Sequence, residues 1–129
     1  MDRSCVLIAV ADTTLAEALH ETIDDGRRYI ERYTAFEMAL AGLERRPFDL
    51  VISDLDLPAM HSLKFIQRAR ALYPNARILF LTAFAPTWIE GRVQEPVSNL
   101  IHAYLLKPFG AQDFTAAVGH LLADDGAAS

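Results

Sequence analysis

The sequence predicts an α/β domain in which helices cover both faces of a parallel sheet. Short apolar runs alternate five times with segments of helical spacing, the order that strand–helix–strand crossovers produce. Several runs, such as CVLIAVA at 5–11 and RILFLT at 77–82, are apolar at nearly every position instead of every second one. That suits strands buried on both faces. With 129 residues, 52% hydrophobic and 22% charged, the chain has the composition and size of one ordinary globular domain with its own core.

The elements follow in order. Strands are expected at 5–11, 28–35 (RYIERYTA), 49–53 (DLVIS), 77–82 and 103–106 (AYLL). A first helix from about Thr14 to Ile23 follows Asp12 or Thr13 as N-cap, and Leu15, Leu19 and Ile23 share one face at four-residue steps. The second, in AFEMALAGLERR, turns Phe36, Ala39, Leu40 and Leu43 inward and stops before Pro47. The third, SLKFIQRARALY, puts Leu63, Ile66 and Leu72 on a core stripe and ends before Pro74. Between Thr82 and Tyr104 the residues Pro86, Gly91 and Pro96 argue against a full regular helix, so a short or broken fourth helix is expected, with Trp88, Ile89 and Val93 available for recognition. The last helix, AQDFTAAVGHLLA, offers Phe114, Val118, Leu121 and Leu122 to the core. A domain of residues 1–123 and a small, polar tail of 124–129 are the expected limits.

Composition excludes several classes. The net charge of −5, with basic residues clustered only in pairs such as Arg27-Arg28 and Arg45-Arg46, lacks the footprint of a nucleic-acid binder. No segment is long and apolar enough to span a bilayer, and the N-terminal run reads as a first strand more than as a signal peptide, so a cytoplasmic address is expected. The single cysteine, Cys5, lies in an apolar run and reads as buried filler.

Ligands of open α/β sheets bind beyond the carboxyl ends of the strands. Three polar residues fall there together: Asp54 after the third strand, Thr82 at the end of the fourth, and Lys107 before Pro108 after the fifth. Each has an ordinary role when taken alone, as turn residue, strand former and solvated cation. Together they bring a nucleophilic carboxylate, a hydroxyl donor and an ammonium to adjacent strand ends, a set suited to a phosphoryl group.

Over nearly its whole length the chain resembles the receiver domain of two-component response regulators. The resemblance rests on DLVISDLDLPAM for the phosphoacceptor pattern, ILFLTA for the switch hydroxyl and AYLLKPF for the lysine signature. It implies a flavodoxin-like, doubly wound sheet of five parallel strands in the order 2-1-3-4-5, which right-handed crossovers also favour, with two helices on one face and three on the other. It further implies Asp54 as phosphoacceptor, Thr82 as the hydroxyl that follows the phosphoryl group, Tyr104 as aromatic switch residue and Lys107 as partner of a phosphoryl oxygen. Implied partners are a histidine kinase, a phosphotransfer protein or another signalling protein. A homodimer through the fourth helix, fifth strand and fifth helix belongs to the same set.

The sequence departs from the family at the end of the first strand. Receivers carry an acidic pair there that holds Mg²⁺ with the phosphoacceptor; the ungapped equivalents are Val10 and Ala11. Asp12 lies one place further on and suits an N-cap at least as well as a metal ligand. With Asp54, the backbone carbonyl of Asp56 and Asp12 as the available donors, Mg²⁺ binding is expected to be weak. His61 and Ser62 replace a usual acidic and a usual glycine position after the proline loop, and His61 reads as an ordinary loop residue.

The favoured reading is therefore an atypical receiver that acts through protein contacts, with Mg²⁺-dependent phosphorylation at Asp54 weak or absent. A conventional phosphoacceptor receiver is the alternative. An aspartate-nucleophile phosphatase of the haloacid dehalogenase type is more remote. DLDLP with Thr82, Lys107 and Asp124-Asp125 copies its motif order, but that family's DxD lies on the first strand, whereas here two strand–helix units precede Asp54. The chain is thus read as a non-enzyme. A direct Asp54–Lys107 ion pair is expected at the resting site.

Overall fold

A computed structural model describes residues 4–54, 59–83 and 102–127, with side chains described for all of these except 59–63 and 123–127. The order is β1 (Ser4–Val10), α1 (Thr13–Ile23), β2 (Arg28–Tyr33), α2 (Phe36–Arg45), β3 (Leu50–Asp54), α3 (Ala59–Leu72), β4 (Arg77–Thr82), β5 (Ala103–Leu106) and α4 (Ala111–Ala127). The strands form one sheet in the order β2-β1-β3-β4-β5, and every pairing is parallel. This is the order expected from the sequence.

The inner strands β1, β3 and β4 are buried on both faces because they carry apolar side chains on both. Leu7, Val51, Ile78 and Phe80 meet Ala39 and Leu43 of α2 and Phe65, Ile66 and Ala69 of α3. The opposite side chains, Val6, Ile8, Leu50, Ile52, Leu79 and Leu81, meet Ala16, Leu19 and Ile23 of α1 and Phe114, Val118 and Leu121 of α4. Two helices therefore lie on each face among the described residues. Close-packed layers of this kind supply most of the favourable free energy of folding.

Several boundaries differ from the sequence reading. β1 ends at Val10, so Ala11 is already outside the strand and exposed. β2 stops at Tyr33. β3 runs one residue further than expected, to Asp54, because Asp54 is still in register with Val10 and its carbonyl accepts from the Ala11 amide at 3.1 Å. The third helix begins at Ala59, and its described core stripe is Phe65, Ile66 and Ala69, with Leu72 only partly buried. α4 continues as helix to Ala127, into the stretch read as a tail. Leu63, His61 and Ser62 lie outside the described side chains, and the fourth connection with Trp88 lies outside the described residues.

Candidate functional site

Parallel strands carry their carboxyl ends to one edge of the sheet, so neighbours in strand order become neighbours in space. Asp54 ends β3, Thr82 ends β4, and Lys107 follows β5 directly. Asp54 and Thr82 are 3% and 6% exposed, which is low for a charged and a hydroxyl side chain. The Lys107 amide donates to the Thr82 carbonyl at 2.8 Å, tying the end of β5 to the end of β4. The Lys107 side chain reaches inward, and its Nζ forms an ion pair with Asp54 Oδ2. The pair is asymmetric in burial, since the Asp54 side chain is 4% exposed and that of Lys107 22%. A long flexible stem thus brings a cation from the rim to a buried anion.

The remaining predicted residues are arranged less directly. Val10 is fully buried and stands opposite Asp54 in the ladder between β1 and β3. Asp12 is exposed at the start of α1, and its Oδ1 accepts from the Leu15 amide at 3.1 Å. That is an N-cap, which satisfies one of the orphan amides of the first helical turn. Tyr104 is 46% exposed, two residues ahead of Leu106, the register partner of Thr82. Asp56 lies outside the described residues.

Mg²⁺ needs hard oxygen ligands in a near-octahedral shell, and an ammonium on the same carboxylate competes with it. Here the Asp54 carboxylate carries Lys107, position 10 offers only methyl groups, and Asp12 is committed to the helix amide. Among the described residues no group of three or more His, Cys, Asp or Glu side chains is gathered to hold a metal ion. These side chains do not fit an ordinary Mg²⁺ centre.

Two polar features at other places escaped the sequence reading. Glu31 on β2 accepts from Tyr33 Oη at 2.5 Å and Tyr29 Oη at 2.7 Å, with Arg45 and Arg46 at 3.5 and 3.8 Å. Burial alone pushes its carboxyl up, but the tyrosine hydrogen bonds and the two guanidinium groups bring it below the usual carboxylate range. The alternation of Tyr29, Glu31 and Tyr33 on one side of the strand was the available signal. His102, just before β5, is the second feature; nothing in its local sequence marks it.

A doubly wound parallel sheet in this strand order, with an acid, a hydroxyl and a lysine gathered at its carboxyl edge, defines a flavodoxin-like module of the signalling type. The model of the response regulator receiver domain matches residues 6–119, and the chain belongs to that family, as a receiver domain of two-component signalling. It is 34% identical to the response regulator protein FleR of Pseudomonas aeruginosa over 83% of this chain, and spans 22% of the length of FleR. The response regulator receiver protein CpdR of Brucella abortus is 23% identical over 91% of this chain and 95% of its own. Among solved structures, a CheY-like receiver domain protein from Methanospirillum hungatei superposes with a TM-score of 0.82 at 19% identity, covering 99% of this chain and all of its own. Chemotaxis protein CheY4 of Vibrio cholerae gives 0.78 at 23% identity over 92% of this chain and 98% of its own. Receiver domains are signalling modules that meet histidine kinases or phosphotransfer proteins and typically bind Mg²⁺ where they are phosphorylated. None of the described helices is long and apolar enough to cross a membrane.

Proposed function

We propose that this chain is an atypical receiver that signals through protein–protein contacts, with Mg²⁺-dependent phosphorylation of Asp54 weak or absent. The observation that carries the reading is the ion pair between Asp54 and Lys107 at a strand edge where Val10 and Ala11 stand in place of the family's acids. Phosphoryl transfer to a carboxylate builds negative charge at the acceptor, and a tightly held cation normally offsets it. Here Lys107 meets the nucleophile in the resting state, and the side chains that would recruit the metal are absent.

The residues keep the roles that receiver chemistry gives them. Asp54 is the candidate phosphoacceptor, Thr82 donates to a phosphoryl oxygen, and Lys107 shifts from the carboxylate to that oxygen. Tyr104 follows the movement of Thr82. Asp12 acts as a helix cap before it acts as a ligand, and the Asp56 carbonyl is the remaining candidate donor. Any Mg²⁺ is therefore held weakly. The domain spans 1–123, acts in the cytoplasm and is not an enzyme. Its partners are a histidine kinase, a phosphotransfer protein or another signalling protein, and a second copy docks through the fourth connection, β5 and α4. Neither nucleic acid nor membrane is a direct partner.

A conventional receiver is the second reading, favoured by the gathering of Asp54, Thr82 and Lys107 itself. Incubation with phosphoramidate and millimolar Mg²⁺, followed by intact-mass measurement, separates the two. The expected result is little or no added phosphoryl group, rising at least tenfold in a Val10→Asp, Ala11→Asp double variant. One full equivalent on the parent chain, lost in Asp54→Asn, establishes the conventional receiver instead.

A further inference from the structure

β5 is a four-residue edge strand, and it delivers Lys107 to Asp54. So short a strand adds little ladder energy of its own, and its position depends on how its ends are held. The carboxyl end is held by the Lys107 amide on the Thr82 carbonyl at 2.8 Å. The amino end is held by His102. Its backbone amide donates to the Ile78 carbonyl at 2.9 Å, and its Nδ1 accepts from the Ile78 amide, also at 2.9 Å. The imidazole thus takes the place that a backbone carbonyl fills in a longer strand, and it closes the ladder between β4 and β5 at its first rung.

An imidazole nitrogen accepts only while it is unprotonated. The charged groups that act on His102 among the described residues are both cations, Arg70 from α3 and Arg77 from β4. The residue as a whole is exposed, but partial desolvation of the ring first, and then these two guanidinium groups, push its pKa below the ordinary 6.5. At neutral pH the ring is neutral and the bond to Ile78 is made.

We infer that His102 is an acid-sensitive latch on β5: in its neutral form it pins the start of the strand to Ile78, and on protonation it releases that amide and loosens the strand that presents Lys107 to Asp54. When Nδ1 gains a proton it becomes a donor facing another donor, and the added charge faces Arg70 and Arg77. The Ile78 amide then loses its partner, and the first rung of β5 opens while the Lys107 end still holds. A histidine whose folded pKa is depressed contributes stability above pH 6.5, and that contribution falls away as pH drops below 6.5 through the folded value. The latch concerns the seating of β5 and holds whether or not Asp54 accepts a phosphoryl group.

The test is NMR on the full chain, following the His102 ring protons and the exchange protection of the Ile78 amide from pH 8 to pH 5. Protection factors remove the intrinsic pH dependence of exchange. His102 should titrate below 6.5, and Ile78 protection should fall about tenfold across that titration. His102→Asn places an untitratable acceptor at nearly the same distance as Nδ1, so its Ile78 protection should stay flat with pH. Titration of His102 at or above 6.5 overturns the latch and needs no variant to observe. So does equal pH dependence of Ile78 protection in the parent chain and His102→Asn.

Discussion

Among the described residues, two carboxylates are largely withdrawn from water and met by cations, and they are held in opposite ways. Glu31, 12% exposed in its side chain, sits on the edge strand β2 within a closed set of partners. Two tyrosine hydroxyls reach it from its own strand and two guanidinium groups from the end of α2, while Arg46 also lies over the Tyr29 ring at 4.5 Å. Tyr33 in turn receives a hydrogen bond from Arg45 and packs close against Gly42, where an added Cβ would come within 2.5 Å of the ring. Asp54 is the more buried, yet Lys107 comes to it on a flexible, partly exposed stem. A carboxylate enclosed by mutually bonded partners ties α2 to the sheet, whereas one met by an ammonium on a long, partly exposed stem is held through a more flexible contact.

The largest expected effect lies at the closed site. Replacing Glu31 with Ala strips both tyrosine hydroxyls of their acceptor and Arg45 and Arg46 of their ion-pair partner, and should lower unfolding free energy by about 3 kcal/mol, read from urea denaturation. Glu31→Gln, which keeps an acceptor, should lose less and should also change the acid limb. Because the folded Glu31 pKa is lowered from 4.5, its contribution is present above that value and is lost as pH falls below it through the folded pKa. The parent chain should therefore lose stability more steeply than Glu31→Gln below pH 4.5. Equal slopes would break the comparison.

Gly42→Ala comes next. In an exposed helix that change stabilises by about 1 kcal/mol, but here the methyl group must displace the Tyr33 ring. A net loss of about 1 to 2 kcal/mol is expected, together with a changed Tyr33 environment in near-ultraviolet circular dichroism. A net gain would show that the ring moves freely and that the Glu31 set is less rigid than its geometry implies.

Asp12→Ala should cost about 1 kcal/mol through loss of the α1 cap, and any response of the amides near Asp54 to millimolar Mg²⁺ should stay unchanged. A response present in the parent and lost in this variant would assign Asp12 to the metal instead. The smallest change is expected at the open site. Asp54→Asn should alter stability by less than about 1 kcal/mol, because a partly exposed ammonium can turn to water, whereas a loss as large as that of Glu31→Ala would make the two carboxylates equivalent.

Much of this molecule was legible without coordinates, and what was not has a common cause. β4 and β5 have the boundaries that RILFLT and AYLL suggested, because breakers such as Pro74 and Pro108 or helical periodicity flank those runs. Asp54, Thr82 and Lys107 could be gathered from the sequence because parallel topology sends every strand end to the same edge. The absence of acids at Val10 and Ala11 was likewise a plain reading of two letters. Tertiary structure alone decided which face each helix covers, since strands apolar on both sides carry no facing signal. It selected Asp12 over Thr13 as the cap of α1, since Asp12 Oδ1 accepts from the Leu15 amide. It also brought Arg45 to Glu31 and His102 to Ile78, pairs 14 and 24 residues apart. Their proximity follows from crossovers and not from any local pattern, so a sequence names such partners only after it has folded.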